Sequence, residues 1–334
     1  MEKEKARSIV KKWFCILVLL PALAAAQEED TINGWEAAEP DQELELETNW
    51  LDDTHDVATD KAQALTEWMD NFFGDPEYNL EQAESQLRLE IINEWDEEDG
   101  YETSPRLRGK VQLPKISKRL DIVFSGEDSD FDSEEDRRNN DDGIALQYRL
   151  NEGRRSRYDL TLGWSSGPRP GFKYRYQGSF DERNSYRFIE RIQYEIDDGF
   201  ISKSQLDLNR ALSPDNLIQW SNQITYGEDT DGVEWRSRVS LRQRRDTDSD
   251  RPTALNYIAA VNGITSPHSF VKNYRLAILW RRQVYRDYLF LELEPGYNFR
   301  KRKNEDDRNT AASLTVRLEF ALQRDMRKVR KPRE

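Results

Sequence analysis

The chain has 334 residues, of which 50 are Lys or Arg and 64 are Asp or Glu, so its formal net charge is -14 and 34% of its residues are charged. One cysteine excludes a disulfide scaffold, and two histidines leave too few ligands for a His- or Cys-based metal cluster. The mean hydropathy is -0.93, and no apolar run after residue 26 approaches the ~20 residues that a membrane-spanning helix needs, which excludes a helical membrane protein.

At the amino terminus, Lys3, Lys5, Arg7, Lys11 and Lys12 precede an apolar run from Trp13 to Leu23, and Ala24-Ala25-Ala26 offer small residues for cleavage before Gln27. Residues 1–26 therefore read as a cleaved export signal. Cys15 lies within it, so the processed chain is expected to carry no thiol, which suits an oxidising compartment. From Gln27 to Asp60 there is no Lys or Arg, and large apolar side chains are few. Residues 27–53 are read as a flexible acidic segment, because such a block cannot bury enough surface to offset its ordering entropy. Residues 54–84 follow as an amphipathic helix and linker. Val57, Lys61, Leu65, Trp68 and Phe72 recur at helical spacing with Met69 beside them, and Gly74-Asp75-Pro76 stops the helix. Its apolar stripe reads as a packing face.

From Ser85 onward the period changes to two. Tyr274, Leu276, Ile278 and Trp280 alternate with Arg275, Ala277, Leu279 and Arg281. Successive strand side chains point to opposite faces, so such stretches are oily on one side and ionic on the other. Strands are predicted at 85–96, 105–115, 119–126, 143–152, 157–165, 171–180, 185–197, 200–212, 216–227, 233–244, 254–265, 271–284, 288–301 and 311–322. A soluble sheet would cover its oily face with helices, and this chain has almost none. Lipid is the remaining cover, and it requires a closed barrel so that no backbone edge is left unpaired. The fold expected over 85–322 is thus an all-β, transmembrane, antiparallel up-and-down β-barrel of about fourteen strands, within a range of twelve to sixteen. Both ends are expected on the periplasmic side. Long acidic loops such as Glu127 to Asp142 are expected to alternate with tight turns such as Glu152-Gly153-Arg154 and Arg286-Asp287. Trp164, Trp220, Trp235, Tyr158, Tyr174, Tyr176 and Tyr297 fall on the oily face, where aromatic girdles sit. Glu190 and Asn222 interrupt that face and are expected near an interface or against another subunit.

The last strand, Leu314-Thr315-Val316-Arg317-Leu318-Glu319-Phe320-Ala321-Leu322, resembles the carboxy-terminal signal strand of Gram-negative outer-membrane β-barrel proteins. The helix with Trp68, Phe72 and Phe73 followed by Gly74-Asp75 looks like that of uncharacterised proteobacterial barrel proteins. The resemblance implies residence in the bacterial outer membrane, contact with its lipid, and insertion by the barrel-assembly machinery. The chain departs from the family by continuing through residues 323–334 as a basic tail, where the family usually stops on the aromatic.

If the oily positions face lipid, the positions between them face the lumen. The basic ones are Arg88, Arg106, Arg108, Lys110, Arg149, Lys173, Arg175, Arg187, Arg191, Lys203, Arg236, Arg238, Arg242, Arg275, Arg281 and Arg317. The acidic ones are Glu90, Asp121, Asp159, Glu195, Asp207, Glu234, Glu292, Glu294 and Glu319. Sixteen against nine leaves an excess of seven positive charges in a chain that is acidic as a whole. Three fillings are open: a paired structural ladder, an aqueous path that favours small anions, or the acidic segment before the helix entering the lumen as an electrostatic plug. These readings point to a narrow, anion-biased channel or to a non-catalytic structural or accessory barrel.

Chemistry is poorly supplied. His55 lies beside Asp53 and Asp56 at the helix start, where it reads as a solvated side chain. His268, in Ser266-Pro267-His268-Ser269, has the ingredients of a nucleophile and a base, and carries the alternative reading of an outer-membrane hydrolase. A soluble periplasmic sheet protein that binds an amphiphile is a further alternative. No phosphate-binding loop is present, no cofactor is expected, and the aspartates around Asp128 and Asp246 lack the spacing of a calcium loop. Nucleic acid is not an expected partner, since the basic residues face inward and the outside is acidic.

Overall fold

The structure, a computed structural model, describes Leu65, Thr66, Met69 and Phe72, and residues 85–322 apart from 114–115, 125–142, 154, 165–166, 197–198, 229, 246–250, 286–287 and 303–306. The predicted signal segment, the acidic segment, most of the predicted helix, the Asp-rich loops and the basic tail lie outside the described residues.

Fourteen strands close into an antiparallel barrel in which every strand pairs with its chain neighbours and β14 returns to β1. They are β1 (Ser85–Asp96), β2 (Gly100–Gln112), β3 (Leu120–Phe124), β4 (Ile144–Glu152), β5 (Ser156–Trp164), β6 (Pro168–Ser179), β7 (Asn184–Glu195), β8 (Gly199–Ser213), β9 (Asn216–Gly227), β10 (Val233–Arg245), β11 (Thr253–Ile264), β12 (Phe270–Tyr285), β13 (Leu289–Arg300) and β14 (Asn309–Ala321). The up-and-down order puts the start of β1 and the finish of β14 at one end, called the near end below.

The alternation drives this closure. On β14, Leu314, Val316, Leu318 and Phe320 face outward, while Ser313, Thr315, Arg317 and Glu319 face inward and are buried. Outward Ile91, Leu107, Leu146, Leu160, Leu276 and Ile278 are exposed, the reverse of a soluble core. Aromatics gather on the same face towards the strand ends. Trp95, Trp164, Tyr194, Phe200 and Phe299 ring the far end, and Tyr158, Tyr176, Tyr186 and Tyr285 ring the near end. Tyr158 and Tyr174 lie 4.9 Å apart and Tyr176 and Tyr186 5.8 Å apart, ring centre to ring centre.

Two expectations are corrected. β2 begins at Gly100, not at 105. The acidic 97–99 stretch forms a tight turn in which the Asp96 carboxylate accepts the amides of Glu98 and Asp99, and Gly100 takes a φ of 86°, open to glycine without strain. Pro105 lies within the ladder opposite Ile91. Loop lengths do not alternate cleanly either. The far end carries the long 125–143 connection, but its 97–99, 165–167 and 196–198 connections have three residues each. At the near end Asp181 closes the β6–β7 turn by accepting the amides of Arg183 and Asn184, and these bonds, the Arg183 amide foremost, hold its carboxyl below the usual range.

Candidate functional site: the charged interior

The pairing register sets each inward side chain beside its cross-strand partner, and the sites group into three sectors. The first straddles the seam where the barrel closes. Arg281 on β12 donates to both oxygens of Glu319 on β14, at 2.9 and 3.0 Å, and also to Glu292 on β13. Arg88 on β1 reaches Glu319 at 3.1 Å, and Arg317 reaches Glu292 at 2.8 Å and Glu90 at 3.9 Å. Arg108 on β2 donates to Glu90 and completes the chain. All seven residues are buried. Arg275 pairs with Glu294 at 2.9 Å on the same side, nearer the far end. Charges removed from water in this way are tolerated because each carboxylate meets cations in good geometry.

The second sector runs over β2 to β8 and holds further ion pairs. Lys110 lies 2.9 Å from Asp121 with Arg149 at 3.8 Å, Arg157 pairs with Asp159 at 2.8 Å, and Arg187 with Asp207 at 2.8 Å. Glu195 lies 3.6 Å from Arg169 and accepts from Gln193. Lys173, Arg175, Arg191 and Lys203 share this wall, and Arg106 shares the inward face of β2.

The third sector, β9 to β11, is different in composition. Arg236, Arg238, Arg242 and Arg244 stand on the inward face of β10 with Glu234 at its far-end start. Opposite them on β9 are Thr225, Gln223, Ser221, Gln219 and Leu217, and on β11 Asn262, Ala260, Ile258, Asn256 and Ala254. No carboxylate belongs to the flanking inward walls of these two strands. β10 therefore sets a column of four arginines, with one glutamate at its far end, between two inward walls that carry no charge.

Sequence parity overlooked Arg157, Arg169, Arg244 and Arg300, all inward and all close to strand ends. Arg300 meets Asp96 at 2.6 Å, and Arg244 meets Asp215 at 2.8 Å. Their signal was the same alternation, carried one step further into each turn. The other omission is the helix. Leu65, Met69 and Phe72 pack against Leu217, Ala254 and Leu279, with Ala211, Ile258 and Phe290 beside them. Those wall residues all have inward parity, so this helical face lies inside the barrel. The packing-face reading of the stripe thus gains its partner, while Trp68 lies outside the described residues.

On the outward face, Glu190 and Asn222 each stand seventh in a strand of twelve, mid-strand and not near an end. Glu190 is accommodated because Ser202 donates to it at 2.6 Å and Ser204 also donates to it. Trp220 donates its indole N–H to Ser237, which stands opposite Asn222. His268 lies in the β11–β12 connection with its ring centre 5.7 Å from that of Phe270; among the described residues, no hydrogen bond joins it to Ser266 or Ser269.

No protein-family model matches the chain, and no curated protein matches it. Solved structures similar to it include a bacterial polysaccharide outer membrane secretin, at 12% identity over 72% of this chain and 98% of that one, with a TM-score of 0.47. OmpT, an outer membrane protein of Vibrio cholerae, is 8% identical over 71% of this chain and 96% of that one, with a TM-score of 0.41. A KdgM porin in complex with disordered oligogalacturonate is 8% identical over 71% and 99%, with a TM-score of 0.35.

Proposed function

We propose that the protein is a bacterial outer-membrane channel with a narrow lumen that favours small anions. The single observation that carries the reading is the arginine column of β10 between two uncharged inward walls, inside a closed barrel whose outward face is apolar. Fourteen strands enclose more room than their own side chains fill, since eight-strand barrels are already packed and porins of sixteen or more hold water. A cationic wall beside that room raises the local concentration of anions and lowers that of cations. The outward oily face, ringed by aromatics at both ends, fits lipid contact, and β14 fits a strand read by the barrel-assembly machinery. The chain is read as non-catalytic.

The paired seam and the β2–β8 pairs favour a second reading, a structural barrel whose interior charges only hold the wall together. Planar-bilayer recordings under a salt gradient separate the two. The intact protein is expected to give discrete steps and an anion-selective reversal potential, and Arg236→Glu with Arg238→Glu to move that potential towards cation selectivity. Steps whose selectivity ignores both substitutions would defeat the anion reading, and a correctly folded barrel that stays electrically silent even with Met69→Asp, which unseats the helix from the wall, would favour the structural one.

A further inference from the structure

Most of the interior wall is polar or charged; single apolar side chains such as Ile92, Val123 and Ile189 interrupt it, and at one place several meet in a patch that the chain's own helix covers. Ala211, Leu217, Ala254, Ile258, Leu279 and Phe290 are inward-facing, and Leu217 and Ala254 are fully buried beneath the helix. The patch lies at the near end: Ala211 is third from the finish of β8, and Leu217, Ala254 and Phe290 are each second in their strands. This is also the end at which the chain enters β1 after the helix. Leu65, Met69 and Phe72 stand at i, i+4 and i+7, which puts them on one helical face, and Met69 is fully buried. Phe72 meets Phe290 edge-on, with ring centres 6.0 Å apart. The Arg281 guanidinium, which holds Glu319 and Glu292, lies 4.5 Å from the Phe290 ring centre and 5.7 Å from that of Phe72. The helix is thus seated both on oil and on the hub of the seam.

A water-lined passage gains nothing from a bare apolar patch in its mouth, whereas a patch shaped for an apolar helical face gives that helix a defined resting place. We propose that the helix carrying Leu65, Met69 and Phe72 is a built-in stopper that sits in the near-end mouth and holds the channel closed. This rests on the channel reading above. Its seat belongs to the wall and its tether is the short stretch before Ser85, so it returns at high effective concentration after each excursion.

The test uses the full chain with Cys15→Ser, which removes the one native thiol, in lipid bilayers and in folded vesicles. Met69→Asp places a charge against the oily seat and is expected to raise the open fraction about tenfold or more, the scale set by losing one buried methionine side chain. In parallel, Met69→Cys is expected to resist a membrane-impermeant maleimide in the folded barrel and to react once Leu65→Ser and Phe72→Ser are added. Full labelling of Met69→Cys in the intact folded barrel overturns the stopper. So does an intact protein that conducts as well as the Met69→Asp variant. If labelling shows the seat vacated and neither protein conducts, the channel reading itself fails and the stopper's role falls with it.

Discussion

Arg281 is 1% exposed, yet it is held by two carboxylates from two strands and by two aromatic rings. Two glutamates buried close together in the wall require that cation, and Arg88 and Arg317 supply the remainder of the balance. Arg281→Met keeps the side chain's bulk but leaves Glu319 and Glu292 short of charge and donors. The expected loss is about 3–5 kcal/mol, the usual consequence of removing one partner from a buried pair. Urea unfolding of the barrel in lipid vesicles, followed by its gel mobility, measures it. Adding Glu319→Gln to Arg281→Met is expected to recover part of the loss. An unchanged unfolding midpoint for Arg281→Met would mean that water fills this part of the wall. Gly263 shows a different residue-scale constraint: a Cβ there would stand 2.5 Å from the Phe270 carbonyl oxygen and 2.8 Å from the Trp235 ring, beside the bulge of β11. Only glycine lets β11 and β12 stay paired at that point.

At the scale of elements, inward basic charge and the acidic 28–53 segment are the two complementary features of this chain. That segment lies outside the described residues, and its proposed role is to enter the lumen and neutralise the β10 column. Deleting residues 28–53 while keeping the helix is expected to raise single-channel conductance and to sharpen anion preference, in recordings at about 0.1 M salt, where charges ~10 Å apart still sense one another. Equal conductance and selectivity with and without the segment would leave the stopper helix as the proposed closure. Among strands, β7 to β9 show how a polar interruption is carried on an outward face. Glu190 is met by two serine hydroxyls from the neighbouring strand, so the carboxyl does not face hydrocarbon without donors.

At the scale of the molecule, closure joins the first and last strands over nine residue pairs, from Arg88 opposite Ala321 to Asp96 opposite Ser313. No edge remains among the fourteen strands, so the sheet has no site for pairing with another chain. A closed, ion-laced barrel is expected to resist detergent until heated. The unboiled protein is therefore expected in the membrane fraction and at a different gel mobility from the boiled one. Recovery wholly in the soluble periplasm, with a single mobility, would end the outer-membrane reading.

Alternation by itself determined which side chains share a face, because the period of two is a local property of extended backbone and needs no knowledge of neighbours. Tyr274 to Trp280 and Leu314 to Phe320 show it residue by residue. The fourteen strands follow from the same pattern, with errors where a turn was tighter than its acidic composition suggested, as at 97–99. Only the tertiary structure decided which charges meet. Arg281 and Glu319 are 38 residues apart and Arg88 and Glu319 more than 200, and their meeting depends on register and closure, which are set across strands. The same holds for the helix. Its apolar stripe is legible at Leu65, Met69 and Phe72, but its seat is assembled from five strands whose apolar inward residues look, one strand at a time, like lapses in a charged pattern.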